Sequence, residues 1–174
     1  MLSLIPTFDG KRTIPSLACR VLIMDLLKLD SSDKVLEIGT GSGTQTHDLK
    51  QTGAIVHSIE LEPWIDTTIT EGECVSLHAG DGLKGLPDYA PFTAIVATCG
   101  VSEIPQSWAA QLSDGGRLVV PIGDVRSQRL TLFRKHGSEL IPERIGAYVR
   151  FQMYREPDKP RPPKYQPYGT HVPA

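Results

Sequence analysis

The sequence predicts an α/β fold, a doubly wound and mostly parallel sheet with an antiparallel C-terminal strand pair, on three observations. Short, nearly continuous apolar runs alternate with segments of helical spacing, the pattern of parallel strands covered on both faces. The first of these runs ends in closely spaced glycines that lead into a helix. Two longer alternating runs, Arg129 to Arg134 and Ile145 to Tyr154, follow one another near the C-terminus with no helical segment between them.

Leu17 to Leu29 places apolar residues at 18, 22, 26 and 29 and at 17, 21 and 24, which is helical spacing. Lys34-Val-Leu-Glu-Ile38 is a short strand that ends at Gly39, and a polar helix follows from about Thr44 to Gln51. Ala54 to Ile59 and Cys74 to Leu77 supply the second and third strands. Ala94 to Thr98 and Gly116 to Ile122 supply the fourth and fifth. They flank a helix opened by Ser102 and Pro105, residue types suited to helix starts. The last two alternating runs close the sheet.

Composition bounds the function. A chain of 174 residues reads as one domain. The 18 Lys and Arg against 20 Asp and Glu leave a net charge of −2, which argues against nucleic acid as a partner. With 40% hydrophobic and 22% charged residues the chain can close a core, so disorder of the whole chain is excluded. Cys19, Cys74 and Cys99 form no Cys-x-x-Cys pair and no metal-ligand spacing, so no metal is expected and a reducing compartment fits. The N-terminal segment has no basic stretch and its apolar run stops at Pro6. The Val21 to Leu27 run is broken by Asp25, so neither a secretory signal nor a membrane span is expected and the protein is read as cytoplasmic. Six of the 14 prolines fall in the last 18 residues. The expectation is therefore a folded domain over 1–154 and an extended Pro-rich tail over 155–174.

In doubly wound sheets a ligand binds beyond the carboxyl ends of the strands, where strand order reverses. There the sequence has Leu36-Glu-Ile-Gly-Thr-Gly-Ser-Gly43, whose glycines at 39, 41 and 43 allow a sharp turn and a close backbone approach. The spacing departs from the dinucleotide fingerprint because Thr44 follows Gly43 directly. Glu60 closes the second strand at the distance where a carboxylate takes the two ribose hydroxyls. Asp81, within Gly80-Asp81-Gly82, can accept from an adenine amino group. Taken singly, Glu60 also suits a solvated strand end and Asp81-Gly82 a plain turn. Their order in one array points instead to an S-adenosylmethionine site made of Glu37, Gly39, Thr40, Gly41, Ser42, Gly43, Glu60, Asp81 and Gly82.

The phrases Val35 to Thr46, Gly80 to Gly82, Ile95 to Thr98, Glu103-Ile-Pro105 and Gln111 to Gly123 resemble protein-L-isoaspartate O-methyltransferases from about Pro6 to Phe151. The resemblance implies a Rossmann-like class I methyltransferase that transfers a methyl group from S-adenosyl-L-methionine, leaving S-adenosyl-L-homocysteine. The implied acceptor is the carboxylate of an isoaspartyl residue in a peptide or protein, in the service of protein repair. Such a carboxyl is already an anion at neutral pH and needs no general base. The end of the fourth strand, Thr98-Cys99-Gly100, offers no obvious one, and Cys99 reads as a packing residue.

By the same resemblance the family's Thr-Ile-Ser stretch falls on Thr13-Ile14-Pro15, so Pro15 stands at the serine and the hydroxyl of Ser16 comes one residue later. Thr13, Ser16 and Thr98 are the residues implied for the acceptor side. Ser16 equally suits the N-cap of the helix that follows, and Thr13 a turn. The stretch from Glu62 to Gly72 is shorter than the helix the family implies, and its Trp64 is either a cover for adenine or core packing. Two further readings stay open: the same fold and cofactor with another peptide, small-molecule or RNA acceptor, and a silent S-adenosylmethionine-binding module. Oligomeric state is not legible.

Overall fold

The computed structural model describes residues 7–8, 13–61 and 72–155. Trp64 and the Pro-rich run beyond Arg155 therefore lie outside the described residues. A small ribbon comes first, β1 (Thr7–Phe8) paired antiparallel with β2 (Thr13–Ile14). Helix α1 (Leu17–Leu27) starts at Ser16, whose Oγ accepts the Cys19 amide at 3.3 Å. It ends two residues short of the expected Leu29 because Lys28 turns into the left-handed region at φ 47, with its amide on Met24 O.

The main sheet is built from β3 (Lys34–Ile38), β4 (Ile55–Glu60), β5 (Val75–Ala79), β6 (Phe92–Ala97), β7 (Leu112–Gly123), β8 (Gln128–His136) and β9 (Glu139–Val149). Helix α2 (Thr44–Lys50) links β3 to β4, and α3 (Gln106–Gln111) links β6 to β7. The strand order is β5-β4-β3-β6-β7-β8-β9. The first five strands run parallel, and β8 and β9 are antiparallel, as the closing pair was expected to be. From β3 the chain moves outward to β4 and β5, then returns to the other side as β6. The reversal lies between β3 and β6.

Alternation along each strand divides the core. Val35, Val56, Ala94, Val96 and Val119 face Cys19, Ile23, Leu26 and Leu27 of α1 and Leu49 of α2. Leu36, Ile38, Ile59, Ile95, Leu118 and Val120 face the opposite way and surround Trp108 of α3. Fully burying one such side chain contributes about 1.5–3 kcal/mol, so the two layers carry the fold. Trp108 is fully buried and donates its indole N–H to Gly82 O at 2.8 Å. From the same helix, the Gln111 side chain accepts the Leu86 amide and donates to Lys84 O, both at 2.7 Å. In this way α3 fixes the turn that follows β5.

Further boundaries differ from expectation. Pro105 is the N-cap of α3 and Gln106 its first residue, so Ser102 stays outside the helix. Strand β7 begins at Leu112, earlier than Gly116, because Leu112 already pairs with Phe92 and Ser113 Oγ donates to Phe92 O at 2.9 Å. Strand β9 spans Glu139–Val149, whereas the alternation suggested Ile145 to Tyr154. It is an edge strand and mostly exposed, so Pro142 is tolerated, and the consecutive Leu140, Ile141 and Pro142 in its first half break the alternation. Among the described residues, no helix is long and apolar enough to cross a membrane.

Candidate functional site

The loop that leaves β3 is a run of left-handed glycines, with φ 95 at Gly39, 55 at Gly41 and 80 at Gly43. Glycine is required most strictly at Gly39, where an added Cβ would lie 2.6 Å from Thr98 Oγ1. At Gly41 nothing lies within 4 Å of the added atom, so the positive φ alone calls for glycine there. The loop is tied down on both sides. Gly39 N donates to Ile59 O at 2.8 Å and Gly41 N donates to Glu60 Oε2 at 2.9 Å, both at the end of β4. Across the strand reversal, Thr98 N donates to Ile38 O at 2.9 Å, and the Thr98 hydroxyl bonds the carbonyls of Ile38 and Gly39.

Beneath the loop lies a buried polar chain. Glu37 Oε2 accepts Thr46 Oγ1 and Ser58 Oγ, each at 2.6 Å. Because Ser58 gives its single proton to Glu37, the Thr40 hydroxyl 2.6 Å away must donate to Ser58. Glu37 is fully buried, and burial pushes its carboxyl up to about 7. The Ser58 and Thr46 hydroxyls pull the other way, and the neighbouring Glu60 and Asp48 carboxylates add to the rise. Among the described residues its second oxygen, Oε1, is buried without a partner, as is Oε1 of Gln45, which is 2% exposed. Two orphaned acceptors under a glycine loop call for a ligand that brings donors or positive charge.

A small cavity of about 20 Å³ opens at this point, lined by Pro15, Gly39, Thr40, Gly41, Ser42, Gln45 and Thr98. The structure thus brings Gly39, Thr40, Gly41 and Ser42 of the glycine loop together with Thr98 around one cavity. Glu60 stands at the rim with Oε1 on the Leu61 amide at 3.0 Å and Oε2 on Gly41. Gly43 begins α2, and Ser42 Oγ meets Thr44 Oγ1 at 2.7 Å. Asp81 lies past the end of β5, where its Oδ1 accepts the Leu83 amide at 2.9 Å and the Tyr154 phenol. Gly82 presses on Ile38, whose Cγ2 would be 2.7 Å from an added Cβ.

Two expectations are refined. Ser16 caps α1 and is not among the residues lining the cavity; Pro15 forms that wall instead. Glu37 lies under the loop rather than on its open side, since it is fully buried. The Thr13 backbone belongs to β2, and its side chain lies outside the described residues. Sequence reasoning missed Ser58, Gln45 and Tyr154. Ser58 shares a strand face with Glu60 two residues on, so its side of β4 was readable from strand period; nothing local marks Gln45 or Tyr154.

A family model described as Protein-L-isoaspartate(D-aspartate) O-methyltransferase (PCMT) matches residues 5–153. A protein-L-isoaspartate O-methyltransferase of Flavobacterium psychrophilum is 44% identical over 131 residues, 71% of this chain and 61% of that relative. One from Trichlorobacter lovleyi is 40% identical over 149 residues, 81% of this chain and 68% of the relative. A solved protein-L-isoaspartate O-methyltransferase superposes with a TM-score of 0.73 at 29% identity, over 87% of this chain and 51% of the other. A solved putative Plasmodium falciparum enzyme of that name, in complex with S-adenosyl-L-homocysteine, has a TM-score of 0.62 at 16% identity and covers 86% of this chain and 80% of its own, a likeness of fold. The chain thus spans about three fifths of the first of these relatives and half of the first solved structure.

Proposed function

The chain belongs to the protein-L-isoaspartate(D-aspartate) O-methyltransferase family, and on that premise we propose that it methylates the carboxylate of isoaspartyl residues in peptides or proteins, with S-adenosylmethionine as donor. The observation that carries this reading is the clasp between Glu60 and Gly41, which fixes a left-handed glycine turn above a buried carboxylate, Glu37, whose Oε1 has no hydrogen-bond partner among the described residues. That arrangement suits a ligand with a cationic amino group and a ribose. When bound, S-adenosylmethionine supplies a sulfonium-activated methyl group.

The residues of the chain divide the remaining work. Gly39, Thr40, Gly41, Ser42 and Gly43 give the backbone on which the donor would rest, and Glu60 the carboxylate for its sugar. Asp81 and Gly82 border the nucleobase side. Glu37, with Oε1 free of donors, would hold positive charge from below. Thr98, Pro15 and the start of α1 at Ser16 face the acceptor, with Thr13 on the neighbouring strand. An isoaspartyl α-carboxyl ionises at about 3.3–3.7, so no residue has to take a proton from it. Holding the two reactants in line is the principal task, and orientation of this kind is worth up to roughly 7–11 kcal/mol of barrier.

Calorimetric titration separates this reading from a dinucleotide site. S-adenosyl-L-homocysteine should bind with a micromolar dissociation constant and NAD should not. Binding of NAD alone would overturn the cofactor assignment.

A further inference from the structure

After β9 the chain does not leave the sheet but crosses its carboxyl end. Gln128, 1% exposed, acts as a backbone surrogate for this crossing. Its Oε1 accepts the Phe151 amide at 2.7 Å, and its Nε2 donates to Phe151 O at 3.0 Å. Gly100 continues the support, donating to Gln152 O at 2.9 Å and accepting from Tyr154 N at 2.7 Å. A side chain at Gly100 would collide with Gln128, because an added Cβ would lie 2.6 Å from Nε2. Phe151 is buried with the α1 layer and Tyr154 packs against the α3 layer, so this strap passes from one face of the sheet to the other.

The strap delivers Tyr154 to the turn after β5. Its phenol donates to Asp81 Oδ1, the oxygen that also accepts the Leu83 amide, and the edge of its ring lies 3.6 Å from the Cβ position of Gly82. Among the described residues no donor reaches the other oxygen, Oδ2. We propose that Tyr154 is a positioning residue for nucleobase selection: together with the Leu83 amide it occupies Oδ1 of Asp81 and leaves Oδ2 as the acceptor for the 6-amino group of adenine. The inference rests on the cofactor reading given above. Burial and the Asp81 carboxylate both raise the phenol well above its ordinary range, so it stays protonated and remains a donor. A carboxylate oxygen fixed in this way accepts from a 6-aminopurine and repels the oxygen of a 6-oxopurine. The strap, 73 residues from Asp81 in sequence, thereby sets the preference of the site for adenosyl over inosyl ligands.

The test measures binding rather than turnover, with S-adenosyl-L-homocysteine and S-inosyl-L-homocysteine titrated calorimetrically into the full chain and into Tyr154→Phe. Loss of one hydrogen bond to a charged group should raise the adenosyl dissociation constant about fivefold and the inosyl constant less than about twofold. The ratio between the ligands, which a general loss of folding would not change selectively, should narrow. Asp81→Asn provides a second arm: in that background Tyr154→Phe should have almost no further effect on the ratio, because the two residues act as one unit. An unchanged ratio in Tyr154→Phe would overturn the inference, as would tighter adenosyl binding, which would make Tyr154 an obstacle in the nucleobase site. Failure of the unsubstituted chain to bind the adenosyl ligand would overturn the cofactor reading itself, and the inference with it.

Discussion

Glu60 Oε2 accepts the backbone N–H of Gly41 at 2.9 Å, so the last residue of β4 holds the loop that leaves β3. One carboxylate thus shapes the glycine turn and stands at its rim. Replacing Glu60 by Ala removes the acceptors of both the Gly41 and the Leu61 amides. The dissociation constant for S-adenosyl-L-homocysteine should rise at least about tenfold, or about 1.4 kcal/mol. Glu60→Gln, which keeps an acceptor oxygen, should lose less. Calorimetry decides, and equal affinities for all three proteins would contradict the role given to Glu60.

Gly39 and Gly41 both sit at positive φ, but only Gly39 is crowded, by Thr98 Oγ1. A left-handed Ala costs about 1–2 kcal/mol, so Gly41→Ala should lower the melting temperature by roughly 3 °C. Gly39→Ala, at φ 95 and so outside the left-handed well, carries at least that strain and must also displace Thr98, which bonds the loop, so its loss should be at least about twice as large. Thermal melts of the two variants check the order.

The Glu37 carboxyl is raised from 4.5 to about 7, first of all by burial. Because the native value lies above the unfolded one, the folded state holds the proton more tightly. The contribution of Glu37 is most favourable below the unfolded value and is lost as pH climbs through the native value, a change of order 3 kcal/mol. Glu37→Gln should therefore gain stability relative to the unsubstituted protein between about pH 5 and about pH 8. Urea midpoints at those two pH values measure it, and a constant difference would contradict the burial argument.

Ser16 Oγ accepts the Cys19 amide at the start of α1, and Pro15, not Ser16, lines the cavity. Ser16→Ala should cost about 1 kcal/mol of stability through loss of the cap. Its kcat should stay within about twofold of the parent's, because the hydroxyl is already committed to the helix. A large fall in kcat with unchanged stability would make Ser16 a participant in the acceptor site.

The parts that the sequence disclosed are those in which local pattern and tertiary environment agree. Lys34–Ile38 carries apolar residues on both faces, Val35 on one and Leu36 and Ile38 on the other, and ends at a glycine, so both its type and its boundary were readable. Residues 39–43, Glu60 and Asp81 were readable because strand ends and turn residues fix their place in a doubly wound sheet. Strand β9 was misjudged at both ends: its first half is exposed except at Leu140 and so shows no alternation, and its far end is set by the Gln128 contact with Phe151. Tyr154 was hidden for the same reason, since its partner Asp81 is reached only through the strap and no periodicity links the two. Gln45 faces inward from a short polar helix whose composition gives no direction.

The central claim is methyl transfer to an isoaspartyl carboxylate. Labelled methyl from S-adenosylmethionine should be offered with an isoaspartyl peptide and with its ordinary aspartyl twin, and the label then challenged with mild base. The account predicts base-labile label on the isoaspartyl peptide alone. No label on either peptide, with cofactor binding demonstrated in the same sample, or a base-stable product, would contradict it.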